Sequence, residues 1–261
     1  MTLVTLNIGL YLLSALSLTG ALFKKDQKWW LPLSYIMILA GFILQGKILT
    51  DQLASQSFAN VSATVALSFT SLIMVLIELP YIKRHLNTAI VISLFAAFTQ
   101  FLQIFNYNEV SFSTPSLWLS IHVLTSLIAY SILLLASIQA LLVYLRDRAL
   151  RTKKSITHRF PPLMRMELLL FRLLLIGFIV LTLSLLTSFA FFDQWFSPHF
   201  IHKTVLTGLA WLLYGSILFA HQYFGLRGRP AAKFILMTAV VLLLGITGTR
   251  LIQEYMFATH L

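Results

Sequence analysis

The feature that most constrains this chain is a succession of apolar runs of nearly uniform length. Eight can be drawn, at residues 3–23, 31–49, 58–81, 86–105, 116–145, 168–192, 198–224 and 234–253. Each is close to the ~20 residues a helix needs to cross the ~30 Å hydrocarbon core of a bilayer. Inside that core no water satisfies backbone amides and carbonyls, so a spanning run of this length closes its own hydrogen bonds as a helix. The expected fold is therefore all-α: a polytopic bundle of about eight transmembrane helices forming a single integral membrane domain over residues 1–261. Composition agrees, since 59% of residues are hydrophobic and only 10% charged, where a soluble domain carries about a quarter. The runs leave no room for a sizeable soluble domain.

The connections between runs set the expected orientation. Those after the first, third, fifth and seventh runs are basic, with Lys24, Lys25 and Lys28, then Lys83 and Arg84, then residues 146–165, then Arg227, Arg229 and Lys233. Those after the second, fourth and sixth hold Asp51, Glu109 and Asp193 and almost no basic residue. Lys and Arg are retained on the cytoplasmic side, so both termini are expected outside, in a periplasm or its equivalent. The net charge of +11 thus reflects topology first and attraction to anionic lipid second, and points to no nucleic-acid partner. The N-terminus lacks a basic region before its apolar run, so it reads as an uncleaved first span. The longest basic connection contains Pro161-Pro162 and is either an ordinary loop or a hinge between five helices and three.

Cysteine is absent, which excludes a thiol relay, a CxxCH haem attachment and thiolate metal centres. There is no phosphate-binding glycine loop, HExxH or GxSxG, so neither hydrolysis nor nucleotide-driven chemistry can be argued, and no catalytic residue is expected.

Polar groups that could carry chemistry concentrate at one end. The segment SPHFIHKTVLTGLAWLLYGSILFAHQYFGLRGR, residues 197–229, opens on Ser197-Pro198, a helix-start pair, and places His199 and His202 on one face. A second start, Ser113-Thr114-Pro115, puts His122 about 10 Å into the fifth run, while His202 lies about 6 Å into the seventh. Two neutral imidazoles at comparable depth from different helices could ligate one haem iron axially. Alternatively, His122 is a histidine hydrogen-bonded between helices. Lys47, Lys203 and Arg250 fall on the same outer side, where they would complement haem propionates or snorkel to the interface. The face below His122 reads Ser126, Ala129, Leu133, Ala136, Ser137 and Ala140, a pattern suited to close helix packing and, less directly, to a flat macrocycle. His221 is about 28 Å from His202 along one helix and cannot share its site. It is expected at the cytoplasmic interface, as is Glu78 beside Lys83 and Arg84.

Around His122 the segment LSIHVLTSLIAYSILLLASIQALL resembles the cytochrome c assembly (CcsA and HemX-like) membrane family. The segments FPPLMRMELLLFRLLLIGFIVLTLSLLTSF and PHFIHKTVLTGLAWLLYGSILFAHQYFGLRGR are most similar to YpjD-like proteins of bacterial inner membranes. The likeness implies a haem-binding membrane protein supporting cytochrome c maturation, with haem b as cofactor and other assembly or membrane proteins as partners. It carries His122 over as outer haem ligand, with His202 as partner and Lys203, His199 and Arg250 as further cofactor-binding residues. Two departures stand out: the tryptophan-rich WWD loop is missing, residues 191–197 holding only Trp195, and a histidine of similar proteins in the second span is Gln45. A transporter for another small molecule and a non-catalytic membrane partner of another complex remain as alternatives.

Overall fold

A computed structural model describes residues 2–23, 29–55, 62–104, 117–152, 161–191 and 201–245. Among them the chain forms eight α-helices: α1 (Thr2–Phe23), α2 (Trp30–Ser55), α3 (Ala63–Glu78), α4 (Leu86–Gln103), α5 (Leu117–Arg151), α6 (Leu163–Phe191), α7 (Ile201–Phe224) and α8 (Gly228–Leu243). Seven are long and apolar enough to cross a membrane; α8 has 16 described residues and falls short of that length. The protein is a polytopic membrane helix bundle.

Helix ends follow local chemistry. Ser62 caps α3, its hydroxyl accepting from the Val65 amide at 3.2 Å. Pro80 lies in the 3₁₀ turn Leu79–Tyr81 that follows α3. Proline cannot donate the next helical bond, and the chain reverses there into α4. α7 ends where Gly225 adopts φ +65°, a left-handed conformation that favours glycine, and the Leu226 amide reaches back to the Ala220 carbonyl at 3.2 Å. This tight turn starts α8 at Gly228, six residues before the apolar run at residue 234 that sequence hydropathy selects. Basic residues such as Arg229 and Lys233 are helical there because backbone bonding, unlike hydropathy, does not stop at a charge.

The helices gather into two compact units, α1–α4 and α5–α8. The division follows α4, not the fifth span. In the first unit, α1 packs between α2 and α4, and α3 packs on α4 and α2. Gly20 of α1 makes room for the Trp30 ring at the start of α2, where a Cβ would come within 2.8 Å. In the second unit α5 is central, packed on α6 and α8, with α7 joining α6 and α8. Its apolar window is 72% buried, against 22% for α7. At 35 residues, α5 is about 52 Å long and outruns the hydrocarbon core. Its last turns carry Arg146, Asp147, Arg148 and Arg151, with Arg151 Nε on Asp147 at 3.0 Å. Part of the long basic connection is therefore helix.

The outer surface is apolar, as a lipid-facing surface requires. α6 alone exposes Leu168, Leu175, Ile176, Ile179, Leu183, Leu186 and Phe189. Its face toward α5 is different: Gly177 receives Leu133, whose Cδ2 would lie 2.7 Å from an added Cβ. Ala129, Leu133, Ala136 and Ala140 are all fully buried. The small-residue face of α5 is a helix-packing face.

Candidate functional site

In the second unit, His122 lies near the start of α5 and meets the far end of α6. Its Nδ1 is 3.0 Å from the Ser184 carbonyl and 3.3 Å from Thr187 Oγ1. A carbonyl can only accept, so the Ser184 contact selects the tautomer with the proton on Nδ1 and the lone pair on Nε2. This backbone contact fixes the ring as metal-ligating histidines are fixed, through the nitrogen that does not bind metal. The ring is half-buried. The inter-helix hydrogen bond expected as an alternative to ligation is thus present, and it is compatible with ligation through the other nitrogen.

α7 brings the second histidine to the same end. Trp211 of α7 donates its indole N–H to Thr182 Oγ1 of α6 at 2.8 Å and stacks on Phe178 with centroids 5.6 Å apart. His202 lies in the first turn of α7, nine residues or about 13 Å of helix rise before Trp211. Because α6 and α7 run antiparallel, that turn belongs with the end of α6 that holds Ser184 and Thr187. The side chains of His202 and Lys203 lie outside the described residues, as do His199 and Arg250 entirely. Lys47, the remaining cation expected on the outer side, is an exposed residue of α2 in the first unit.

At the opposite end of this unit, His221 Nδ1 bonds the Leu226 carbonyl at 2.8 Å, and its ring stacks on Phe171 at 3.4 Å between centroids. It closes the α7–α8 turn, which accounts for a histidine in the last turn of a helix. Arg229 donates to Tyr144 Oη at 3.2 Å and lies 5.1 Å over that ring, and Glu167 accepts from the Gly228 backbone amide. These contacts tie α5, α6 and α8 together.

The first unit holds a different arrangement, a neutral polar network in its core. Gln45 of α2 is fully buried. Its Oε1 accepts from Tyr11 Oη of α1 at 2.6 Å, and its Nε2 faces the Ser68 carbonyl at 2.8 Å, Ser68 Oγ at 3.0 Å and Ser71 Oγ at 2.9 Å on α3. α4 completes it, with Thr99 Oγ1 on Ser71 Oγ at 2.9 Å and Gln100 Nε2 donating to Ser68 Oγ at 2.7 Å. Toward the end of the unit, Gln103 Nε2 donates to Gln52 Oε1 at 3.3 Å. Glu78, expected near the interface beside Lys83 and Arg84, is buried in the protein at the other end of α3, with His85 Nδ1 3.9 Å from its Oε1. Burial, and then the charge of Arg84, hold the His85 imidazole below its ordinary range. Among the described residues no three His, Asp or Glu side chains gather as a metal site.

The comparison with known proteins adds a family to this geometry. Residues 10–257 match the family model described as Cytochrome C assembly protein. The chain belongs to the cytochrome c assembly protein family. Among its relatives, inner membrane protein YpjD of Escherichia coli K12 is 29% identical over 222 residues, covering 84% of this chain and 83% of that protein. YpjD of Escherichia coli O157:H7 gives the same figures. An uncharacterised 28.8 kDa protein from the nifR3-like 5′ region of Azospirillum brasilense is 30% identical over 144 residues, 54% of this chain and 53% of its own length. No solved structure matches the chain. Similarity to YpjD and seven apolar helices make this a multi-pass inner-membrane protein.

For this member of the cytochrome c assembly family, sequence reasoning found His122 and missed the groups that hold it, Ser184 and Thr187. It recorded Gln45 only as a departure from similar proteins, whereas the structure makes Gln45 the hub of the first unit. A signal was present in the sequence. Asn7 and Tyr11 on α1, Ser68 and Ser71 on α3, and Thr99, Gln100 and Gln103 on α4 recur at one-turn spacing inside otherwise apolar runs, which puts each set on one helix face.

Proposed function

We propose that this protein binds haem near the outer face of the inner membrane, in support of cytochrome c maturation, with His122 as one axial ligand and His202 as the other. The reading is carried by the Ser184 carbonyl on His122 Nδ1, which leaves the lone pair on Nε2 and orients the ring. Family membership and the placement of His202 at the same end of the second unit support it. Bound there, haem would supply an iron able to take two axial imidazoles. The chain's own part is to bind and orient: Thr187 and Ser184 hold one imidazole, and the first turn of α7 presents the second.

On this reading Lys203, His199 and Arg250 complement the propionates from the outer side, and both termini lie in the periplasm, as the alternation of basic connections requires. The test is an absorption spectrum of the protein purified in mild detergent, wild type beside His122→Ala and His202→Ala. A Soret band that shifts or disappears in both variants is the expected result. A protein that stays colourless after haemin is added ends the haem reading and favours a transporter or a non-catalytic partner. The assembly role is tested separately: deletion should lower the covalently haem-stained cytochromes c, and an unchanged profile refutes that role.

A further inference from the structure

We propose that the core of the first unit is a binding site for water, a hydrated polar column entering from the end formed by the start of α1 and the end of α4. Among the described residues the column is assembled from uncharged groups on all four helices. Its floor is the bonded set Tyr11, Gln45, Ser68, Ser71 and Thr99. Above that floor the hydrogen bonding is incomplete. Asn7 is fully buried, and among the described residues neither its Oδ1 nor its Nδ2 has a partner. Gln100 Oε1 and Gln103 Oε1 are likewise buried without partners, although both amide nitrogens donate.

An amide group withdrawn from solvent into a hydrocarbon-facing bundle is costly unless it is hydrogen-bonded. Three such groups, on two helices in one half of one unit, call for a guest that both donates and accepts. Asn7 sits about 8 Å from the start of α1, and Gln103 is the last residue of α4, so the column reaches about 15 Å to Tyr11. Gly20 against Trp30 marks the opposite end of the unit.

The walls limit the size of that guest. A single Cβ added at Gly41 would already lie 3.2 Å from the Tyr11 ring and 3.4 Å from Asn7 Oδ1, so α1 and α2 leave no room for a bulky ligand there. Among the described residues no charged side chain bonds Tyr11, Gln45, Ser68, Ser71 or Gln100, and Lys47 on α2 is exposed. A small neutral molecule able to make two to four hydrogen bonds fits this set, and internal water is that molecule. The proposal is independent of the haem reading, which concerns the other unit.

Radiolytic footprinting of the unsubstituted protein tests this, because the radical forms from the water already in the core and no larger probe has to enter. Tyr11 should be oxidised at a measurable fraction of its rate in the unfolded chain, while the fully buried Leu133 and Leu174 of the second unit stay protected. Tyr11 protected as completely as those leucines contradicts a hydrated column.

Discussion

The two units solve the same problem, holding four helices together in lipid, with different chemistry. In α1–α4 the helices are joined through the core by amides and hydroxyls, with Gln45 bonded to both α1 and α3. In α5–α8 the contact between α5 and α6 is apolar and close-packed, with Leu133 seated on Gly177 and Ala129, Ala136 and Ala140 buried beside it. Polar contacts there are pairwise and spread along the unit, Trp211 with Thr182 and Gln139 with the Met166 carbonyl as well as His122 with Ser184 at one end and Arg229 with Tyr144 at the other. In lipid there is no hydrophobic drive between helices, so association rests on packing or on hydrogen bonds. The first unit adds a hydrogen-bonded network through its core to its packing. The second, with a close-packed α5–α6 contact and pairwise polar bonds, carries the histidine at its edge.

Substitutions should separate the two designs. The largest effect is expected from Gln45→Leu, which leaves the Tyr11 hydroxyl and the Ser68 and Ser71 groups without their central partner. The cost is about 3 kcal/mol, read as faster hydrogen exchange across α1–α3 with α5–α8 unchanged. Gly177→Ala should do the converse. Helix propensity gains up to about 1 kcal/mol, but a methyl forced against the fully buried Leu133 costs about 1–3 kcal/mol, for a net loss near 1 kcal/mol confined to α5–α8. Thermal unfolding in detergent, combined with hydrogen exchange by unit, checks both, and an equal response of the two units to either substitution would break the comparison.

Smaller effects sharpen it. Thr182→Val removes the acceptor of the Trp211 indole and should cost about 1 kcal/mol, with the change in indole environment visible as a fluorescence shift. The smallest expected effect is a pH dependence at His85. Its imidazole is held below the ordinary value, so the unfolded chain takes up the proton first. Stability is therefore greatest above about pH 6.5 and declines as pH falls through that value. The unfolding midpoint should drop slightly more between pH 7.5 and pH 5.5 for wild type than for His85→Gln, and identical profiles would show that His85 contributes nothing.

Much of this was open to sequence reading, for physical reasons that also set its limits. A spanning helix needs about twenty apolar residues, so hydropathy located seven of the helices well. At α8 it placed the start six residues late, because the turn is set by Gly225 at φ +65° and the first residues are basic. Pro161-Pro162, readable as an ordinary loop or as a hinge, is the conspicuous break in the sequence, yet the compact units part between α4 and α5, because packing partners and not loop composition define them. His122 stood out because an ionisable group inside a span is rare. Its holders, Ser184 and Thr187, are ordinary in an apolar run and become meaningful only when α6 is laid beside α5. Gln45 was hidden for the same reason, since its partners come from helices 23 to 34 residues away.

The most direct test of the division of labour is a haemin titration of the purified protein, followed by absorbance, with one variant from each unit. His122→Ala should abolish or shift the Soret band that wild type develops. Gln45→Met, which disrupts the other core, should leave the band and its saturation point unchanged. A band that survives His122→Ala and is lost in a folded Gln45→Met protein would place the haem in the first unit and contradict the account.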